Sequence, residues 1–186
     1  MTTTTPARRR RLGAALGALV AATAAVLTAP GTAHAGYVIA YTPAFELRNA
    51  ATGKCLEVAD WRTDVGAPVR QWTCTGGANQ QWKASNSGFV VNQHSQLCLD
   101  VPGGDRTWGT QPIQYTCSTR LDENQRWRVP GASRPSTGPM TSFLGTVLDV
   151  YGFDPSDGAP VVTWGANGGD NQIWTGPVPL VSLPPF

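Results

Sequence analysis

The chain has 186 residues and a formal net charge of +2, and its 21 glycines and 15 prolines interrupt almost every stretch that could form a long helix. Four of the 14 basic residues lie in the run Arg8 to Arg11. Residues 36–186 therefore carry 14 − 4 = 10 basic and 12 acidic side chains, a net charge of −2 without a Lys/Arg run, which argues against a nucleic-acid or anionic-membrane partner.

The N-terminus has the pattern of a secretory signal peptide. The arginine run is followed by an apolar, Ala-rich segment from Leu12 to Ala29 and by the small-x-small sequence Ala33-His34-Ala35. We predict cleavage after Ala35 and a secreted, extracellular protein, by either Sec or twin-arginine export. A retained membrane anchor is the alternative, because a spanning helix needs about 20 apolar residues. The predicted organisation is a signal peptide (1–35), a short N-terminal segment (36–44), one repeat domain (45–178) and a C-terminal tail (179–186).

The rest of the chain is predicted to be all-β. Its apolar segments are short, rich in Val and Leu, and bounded by Gly, Pro, Asp or Asn; in chain order they include KCLEV, GFVVN, LCLDV, TVLDV and PVVTW. Such segments are typical of short strands that alternate with turns. A mature chain of about 150 residues is long enough for one domain with a sizeable core.

One sequence pattern occurs three times in this part of the chain. Asn-Gln-x-Trp begins at Asn79, Asn124 and Asn171, with spacings of 45 and then 47 residues. Upstream of each copy lies a Leu-acid-Val triplet, an aromatic residue follows 15 positions after each acid, and a Gly stands six positions before each aromatic. A period of this length predicts one supersecondary unit used three times, over about 45–86, 87–133 and 134–178.

The four cysteines follow the same register. Cys55 and Cys74 are 19 residues apart, as are Cys98 and Cys117, whereas the third copy has Val and Ala at the matching positions. Because both cysteines are absent together there, the register favours the bridges Cys55–Cys74 and Cys98–Cys117 among the three possible connectivities. A zinc site is the alternative, but it would require C-x₂₋₄-C pairs, and these spacings are far longer. We therefore predict no metal and no cofactor.

Three units of short strands can close around a pseudo-threefold axis, which leaves no exposed sheet edge. Cys-Leu-Asp-Val followed by Asn-Gln-x-Trp, in three in-register copies, resembles the ricin B-type lectin domain, a β-trefoil. The chain is also similar to the β-trefoil carbohydrate-binding modules of bacterial glycoside hydrolases. The resemblance covers about residues 45–175 and implies a β-trefoil of about four short strands per repeat, with the motif tryptophans in the core. These are Trp82, Trp127 and Trp174.

Each repeat also carries a set of residues suited to sugar binding. An aromatic ring can stack on the C–H face of a sugar, a carboxylate can accept hydrogen bonds from its hydroxyls, and an amide can both donate and accept. The resemblance implies sugar at these positions, supported by the motif glutamines. The predicted binding residues of the second and third repeats are Asp100, Tyr115, Asn124, Gln125, Asp149, Trp164, Asn171 and Gln172. The first repeat matches them with Glu57, Trp72, Asn79 and Gln80. Its longer acid predicts a weaker site.

The chain departs from the resembled plant lectins at one position of each repeat. Those lectins have a Gln two residues before the aromatic, where this chain has Arg70, Ile113 and Val162. The type of sugar, whether galactose-like, xylan-derived or other, therefore stays open.

The predicted function is non-catalytic carbohydrate binding by a monomer, with a polysaccharide or glycan as partner and no membrane insertion of the mature chain. An enzyme is the rival class. It would have to use His94, the one His after the signal peptide, or an acid/base pair, whereas the acids recur one per repeat. Two further alternatives are a β-trefoil protease inhibitor, although such inhibitors lack the Asn-Gln-x-Trp repeats, and an accessory module acting in trans beside glycoside hydrolases.

Overall fold

The structure is a computed structural model that describes residues 1–3, 39–131 and 136–177. The chain divides into two units, Met1–Gly36 and Tyr37–Phe186, and the architecture below is that of the second. The predicted signal-peptide features and the predicted tail lie outside the described residues. Within the described part, no helix is long and apolar enough to cross a membrane.

The described residues form short strands separated by turns, as the apolar segments between Gly and Pro predict. The strands are β1 Arg48–Asn49, β2 Cys55–Val58, β3 Val69–Trp72, β4 Trp82–Ala84, β5 Val90–Asn92, β6 Cys98–Asp100, β7 Ile113–Tyr115, β8 Trp127–Arg128, β9 Thr137–Pro139, β10 Thr141–Ser142, β11 Val147–Val150, β12 Val161–Trp164 and β13 Ile173–Thr175. Short 3₁₀ turns lie at Ala59–Trp61, Ala78–Gln80, Pro102–Gly104, Glu123–Gln125, Tyr151–Phe153 and Asp170–Gln172.

The strands form three antiparallel sheets. One has five strands in the order β3-β2-β1-β13-β9, and two have four strands, in the orders β4-β5-β6-β7 and β12-β11-β10-β8. The strand with each Leu-acid sequence (β2, β6, β11) pairs with the strand that carries the aromatic of the same repeat (β3, β7, β12). Single bridges then link the three repeats in a ring; they join Pro68 to Ile113, Thr110 to Thr163 and Arg70 to Pro160. The predicted all-β trefoil is confirmed.

The three motif tryptophans lie in the core that the repeats share. All three are at most 2% exposed. Each indole N–H donates to the backbone carbonyl of the motif leucine in its own repeat, at 2.9–3.1 Å, so that no indole donor is buried without a partner. The pairs are Trp82–Leu56, Trp127–Leu99 and Trp174–Leu148.

Both disulfides form in the pairing that the register favours. Cys55–Cys74 and Cys98–Cys117 have Cα–Cα distances of 5.1 and 5.0 Å, within the usual range. Each bridge ties the start of β2 or β6 to the loop just after β3 or β7, and therefore braces the strand pair that carries the acid and the aromatic.

A turn from one repeat lies against the aromatic-bearing strand of the next. The glycine six positions before each aromatic has a φ of 85–91°, a conformation open mainly to glycine. Its N–H donates to a carbonyl one residue before another repeat's aromatic, at 2.8–2.9 Å. The pairs are Gly66 with Gln114, Gly109 with Thr163 and Gly158 with Gln71. Each aromatic therefore has a loop from a neighbouring repeat beside it.

Candidate functional site

The structure places the twelve predicted binding residues in three clusters, one per repeat. The acid lies on the first strand of the pair, the aromatic on the second, and the Asn and Gln in the 3₁₀ turn before the core Trp. We call the clusters site 1 (Glu57, Trp72, Asn79, Gln80), site 2 (Asp100, Tyr115, Asn124, Gln125) and site 3 (Asp149, Trp164, Asn171, Gln172). In each, the acid directly faces the residue two before the aromatic, so the aromatic is the acid's diagonal cross-strand neighbour.

The motif glutamine fixes the acid to the aromatic's strand. At site 2, Gln125 Nε2 donates to Asp100 Oδ2 at 2.7 Å and to the Thr116 carbonyl at 2.9 Å. At site 3, Gln172 Nε2 donates to Asp149 Oδ2 at 2.8 Å and to the Gly165 carbonyl at 2.9 Å. The equivalent glutamine of site 1 makes the same two contacts at 3.0 Å. These glutamines are buried and act by orienting the carboxylate.

The motif asparagine also donates to the acid. Asn124 Nδ2 lies 2.9 Å from Asp100 Oδ2, and Asn171 Nδ2 lies 2.8 Å from Asp149 Oδ1. Asn79 and Asn171 are buried, and their Oδ1 atoms have no hydrogen-bond partner among the described residues. In this geometry the asparagines hold the acid in place, and Asn124, which is less buried, is the one that is also accessible from solvent.

Burial and the amide donors shift the pKa of the two aspartates in opposite directions. Burial raises the pKa of Asp100, the hydrogen bonds from Gln125 and Asn124 lower it in part, and the nearby Asp122 raises it further. Burial likewise raises the pKa of Asp149, against the hydrogen bonds from its own two amides. A partly desolvated carboxylate that keeps free lone pairs is a strong acceptor for hydroxyl donors.

Site 2 is an open pocket of about 580 Å³. Its lining includes Asp100, Tyr115, Asn124 and the second acid Asp122. Both amide donors contact Asp100 Oδ2, which leaves Oδ1 without a partner among the described side chains. The Tyr115 ring is 47% exposed. Site 2 therefore offers an open ring beside a free carboxylate oxygen.

Site 3 differs from sites 1 and 2 in having additional aromatic rings beside its motif aromatic. Trp164 has Trp108 and Tyr151 beside it, with ring centroids 5.6 and 6.0 Å away. Trp108, Tyr151 and the nearby turn residue Phe153 are each more than half exposed. Phe153 also has a φ of 56°, a conformation that costs energy for a residue other than glycine.

Site 1 is filled by the side chain of Arg70, which contacts both its acid and its aromatic ring. Arg70, the direct cross-strand neighbour of Glu57, donates from Nε to Glu57 Oε1 at 3.0 Å and from Nη2 to Asp60 Oδ1 at 2.8 Å. Its guanidinium carbon lies 4.4 Å from the centroid of the Trp72 ring. Asn79 and Gln80 hold Glu57 Oε2, and the Arg70 guanidinium covers both the other carboxylate oxygen and the face of the Trp72 ring. The weaker site 1 predicted from the longer acid thus has a second obstacle in Arg70.

Sequence reasoning singled out Arg70 as a departure from the resembled pattern but missed the way it fills site 1. It also missed Trp108, Tyr151 and Phe153. Trp108 could have been found from its place directly before the turn glycine Gly109, where the first and third repeats have Val and Asp. Which strand this turn would contact is set by the packing of two repeats and is absent from the local pattern.

His94, the remaining candidate for catalysis, lies in a turn outside the three clusters. Its Nε2 is 3.2 Å from the Trp61 carbonyl, and its ring meets the Trp61 ring edge-on at 5.0 Å. These contacts hold the His94 ring against the exposed Trp61 ring.

A family model for the ricin-type β-trefoil lectin domain matches residues 43–175. The chain belongs to this family. Its solved structural neighbours include the designed threefold-symmetric protein ThreeFoil, with 34% identity, a TM-score of 0.65, and coverage of 72% of this chain and 96% of that one. Another is the exo-β-1,3-galactanase 1,3Gal43A from Clostridium thermocellum, with 31% identity and a TM-score of 0.66. That match covers 74% of this chain but 30% of the galactanase.

The earthworm R-type lectin C-half, solved with GalNAc, shares the fold at 19% identity and a TM-score of 0.60; the match covers 73% of this chain and 98% of that one. Chains similar to this one thus occur as a designed protein, as half of a lectin and as part of a larger enzyme. For this chain, family membership supports carbohydrate binding.

Proposed function

We propose that this protein is a secreted, non-catalytic, monomeric lectin that binds glycans mainly at sites 2 and 3. One arrangement, common to both sites, carries the proposal: a buried aspartate is held by two amide donors beside a partly open aromatic ring. The ring takes the C–H face of one sugar unit, and the aspartate accepts hydrogen bonds from its hydroxyls. The two disulfides fit an exported protein, since disulfides persist in oxidising compartments.

The non-catalytic part of the proposal rests on how the acids are held. Asp100 and Asp149 lie in different repeats, and each accepts hydrogen bonds from the motif Asn and Gln of its own repeat. This repetition favours two equivalent acceptor sites over one acid and one base on opposite sides of a glycosidic bond. We expect no release of reducing sugar from any polysaccharide that the protein binds.

An accessory role beside separate glycoside hydrolases is the second candidate. The similarity to part of a galactanase favours it, because that part is about a third of a longer enzyme chain. In this role the lectin would hold a polysaccharide surface on which other enzymes act. A protease inhibitor has no comparable support from the family match.

The test is a pull-down with insoluble and immobilised polysaccharides, including β-1,3-galactan and xylan, followed by a glycan array. We expect the wild-type chain to be retained and the double variant Asp100→Ala/Asp149→Ala to lose nearly all retention. Glu46→Ala is the matched control, because Glu46 contacts Arg48 at the surface and lies outside the three sites. Circular dichroism and thermal melting establish that each variant is folded. Retention of the folded double variant at the wild-type level would refute the assigned sites.

A further inference from the structure

Trp108 is a ring that the second repeat places at the third repeat's site. The adjacent Gly109 N–H donates to the Thr163 carbonyl at 2.8 Å, and Thr163 N–H donates back to the Thr110 carbonyl at 2.8 Å. This backbone pairing fixes the turn beside Trp164. The Trp108 indole lies 5.6 Å from the Trp164 ring with an interplanar angle of 36°, and it is 60% exposed. The two rings therefore form one tilted, solvent-facing surface.

Gly165, the residue after Trp164, leaves the space that the Trp108 indole fills. A Cβ at Gly165 would lie 2.8 Å from Trp108 Cε2 and nearer still to Cζ2, so the indole rests where any other residue would have a side chain. The first two repeats have Thr73 and Thr116 at this position. Gly165 lies outside the positive-φ glycines, so the space for the indole, not backbone conformation, is what glycine supplies here.

The fold does not require a ring at the position of Trp108. At site 1 the equivalent residue is Asp157, which accepts from the Thr73 N–H at 2.7 Å and from Lys54 Nζ at 2.6 Å. At site 2 it is Val65. Where the turn of one repeat meets the aromatic-bearing strand of another, site 1 thus has a hydrogen bond between Asp157 and Thr73, whereas site 3 has the exposed Trp108 indole. Large exposed apolar surface of this kind is a mark of binding sites.

We propose that Trp108 extends site 3 into a platform for two consecutive sugar units of a neutral glycan chain. Asp149 and Trp164 hold the first unit, as the proposed function has it, and Trp108 stacks on the C–H face of the next. Tyr151 also lies beside Trp164, with ring centroids 6.0 Å apart, and adds a third ring along the path of the chain. The neighbouring Asp149 carboxylate disfavours acidic sugars, so the ligand is a neutral oligosaccharide.

The inference rests on the proposed function, and the experiment separates the two. An Asp100→Ala background removes site 2, and site 1 is filled by Arg70. In this background the affinities for galactose, xylose and their β-linked di- and tetrasaccharides are measured by calorimetry or by ¹⁵N-tryptophan NMR. Trp108→Ala should leave monosaccharide affinity within about twofold and weaken the tetrasaccharide about tenfold, a change of about 1.4 kcal/mol.

Gly165→Thr should reproduce this selective loss, because the threonine displaces the Trp108 indole without removing it. Val65→Ala, at the equivalent position beside site 2, is the control and should change neither affinity. Equal losses for monosaccharide and tetrasaccharide in Trp108→Ala would reduce Trp108 to a support for Trp164 and overturn the two-unit platform, as would no loss at all. Binding that is unaffected by Asp149→Ala, or absent for every probe, overturns the proposed function and the platform with it.

Discussion

Opening site 1 is the sharpest test of how these sites work. Arg70 faces Glu57 directly across the strand pair, at the position where site 3 has Val162 facing Asp149. The double variant Glu57→Asp/Arg70→Val gives site 1 the cross-strand pair of site 3. Valine suits a paired strand, and the shorter acid keeps its two amide donors, so no buried charge is left without partners. We expect this variant to bind sugar at site 1, unlike the wild-type chain.

The size of the effect follows from what Arg70 contacts. A ligand at site 1 must displace the partly buried hydrogen bond to Glu57, worth about 1.5–3 kcal/mol for a charged group, and the stacking on Trp72, worth about 0.5–1 kcal/mol. The exposed pair with Asp60 adds at most about 1 kcal/mol. Together these contacts are worth about 2–5 kcal/mol, which weakens binding about 30- to 4,000-fold. A shallow site of about millimolar affinity is then empty at ordinary sugar concentrations.

Tryptophan NMR resolves the sites, because Trp72 reports on site 1 and Trp164 on site 3. In a titration of the ¹⁵N-tryptophan-labelled chain with galactose or xylose, the Trp164 indole signal should shift and the Trp72 signal should not. In Glu57→Asp/Arg70→Val both should shift, with dissociation constants within about threefold of each other. A Trp72 signal that responds equally in both proteins, or in neither, would refute the occlusion of site 1 by Arg70.

The reverse exchange is the matched control. Asp149→Glu/Val162→Arg should weaken site 3, but less completely than Arg70 occludes site 1. The reason is that Gly152 stands where the first repeat has Asp60, so the introduced arginine has one acid partner instead of two.

Three further predictions concern stability, pH and valency. Cys98→Val/Cys117→Ala, which copies the third repeat, should lower the free energy of unfolding by about 3 kcal/mol for a loop closed over a separation of 19 residues; an unchanged urea midpoint would contradict it. Sugar binding should fall on acidification at a pH above the ordinary aspartate pKa of about 3.9, because burial raises the pKa of Asp100 and Asp149. Since a raised carboxyl pKa in the folded chain makes protonation favour folding, these two groups should not unfold the protein over that range, which circular dichroism can check. A polysaccharide should be bound about 10²–10⁴ times more tightly than its monosaccharide, and Tyr115→Ala or Trp164→Ala should remove most of this gain in calorimetry; equal affinities in the wild type would contradict multivalency.

The repeat register predicted three like units and the residues of each cluster, and the resemblance to ricin B-type lectins implied that the units form a β-trefoil. The triplication of Asn-Gln-x-Trp placed Trp82, Trp127 and Trp174 in one core, and their burial with satisfied indole donors agrees. Fixed spacings within a repeat correspond to contacts inside one repeat, as in the Gln172–Asp149 hydrogen bond. Local register therefore predicts which acid, ring and amides meet.

The differences among the sites depend on what lies across a strand pair or across a repeat boundary. The effect of Arg70 required its rotamer over Trp72 and its second partner Asp60, neither of which follows from spacing. Trp108 required knowing that the turn of one repeat lies on the strand of the next. A pattern aligned copy by copy treats each repeat as its own unit and cannot show contacts that one copy makes with another.

The third repeat indicates how one copy can change its ligand surface without changing its backbone. At the end of its aromatic-bearing strand it has Gly165 and Ala166 where the first repeat has Thr73 and Cys74, so it loses both the disulfide and the side chain that would exclude a ring. Loss of the bridge is tolerated because Val147 fills the buried cysteine position and Gln172 still ties Asp149 to the Gly165 carbonyl. The space above Gly165 is then taken by Trp108 from the neighbouring repeat. The third repeat therefore differs from the first two at two adjacent positions: Ala166 lacks the cysteine of the bridge, and Gly165 lacks the side chain that would exclude the Trp108 indole.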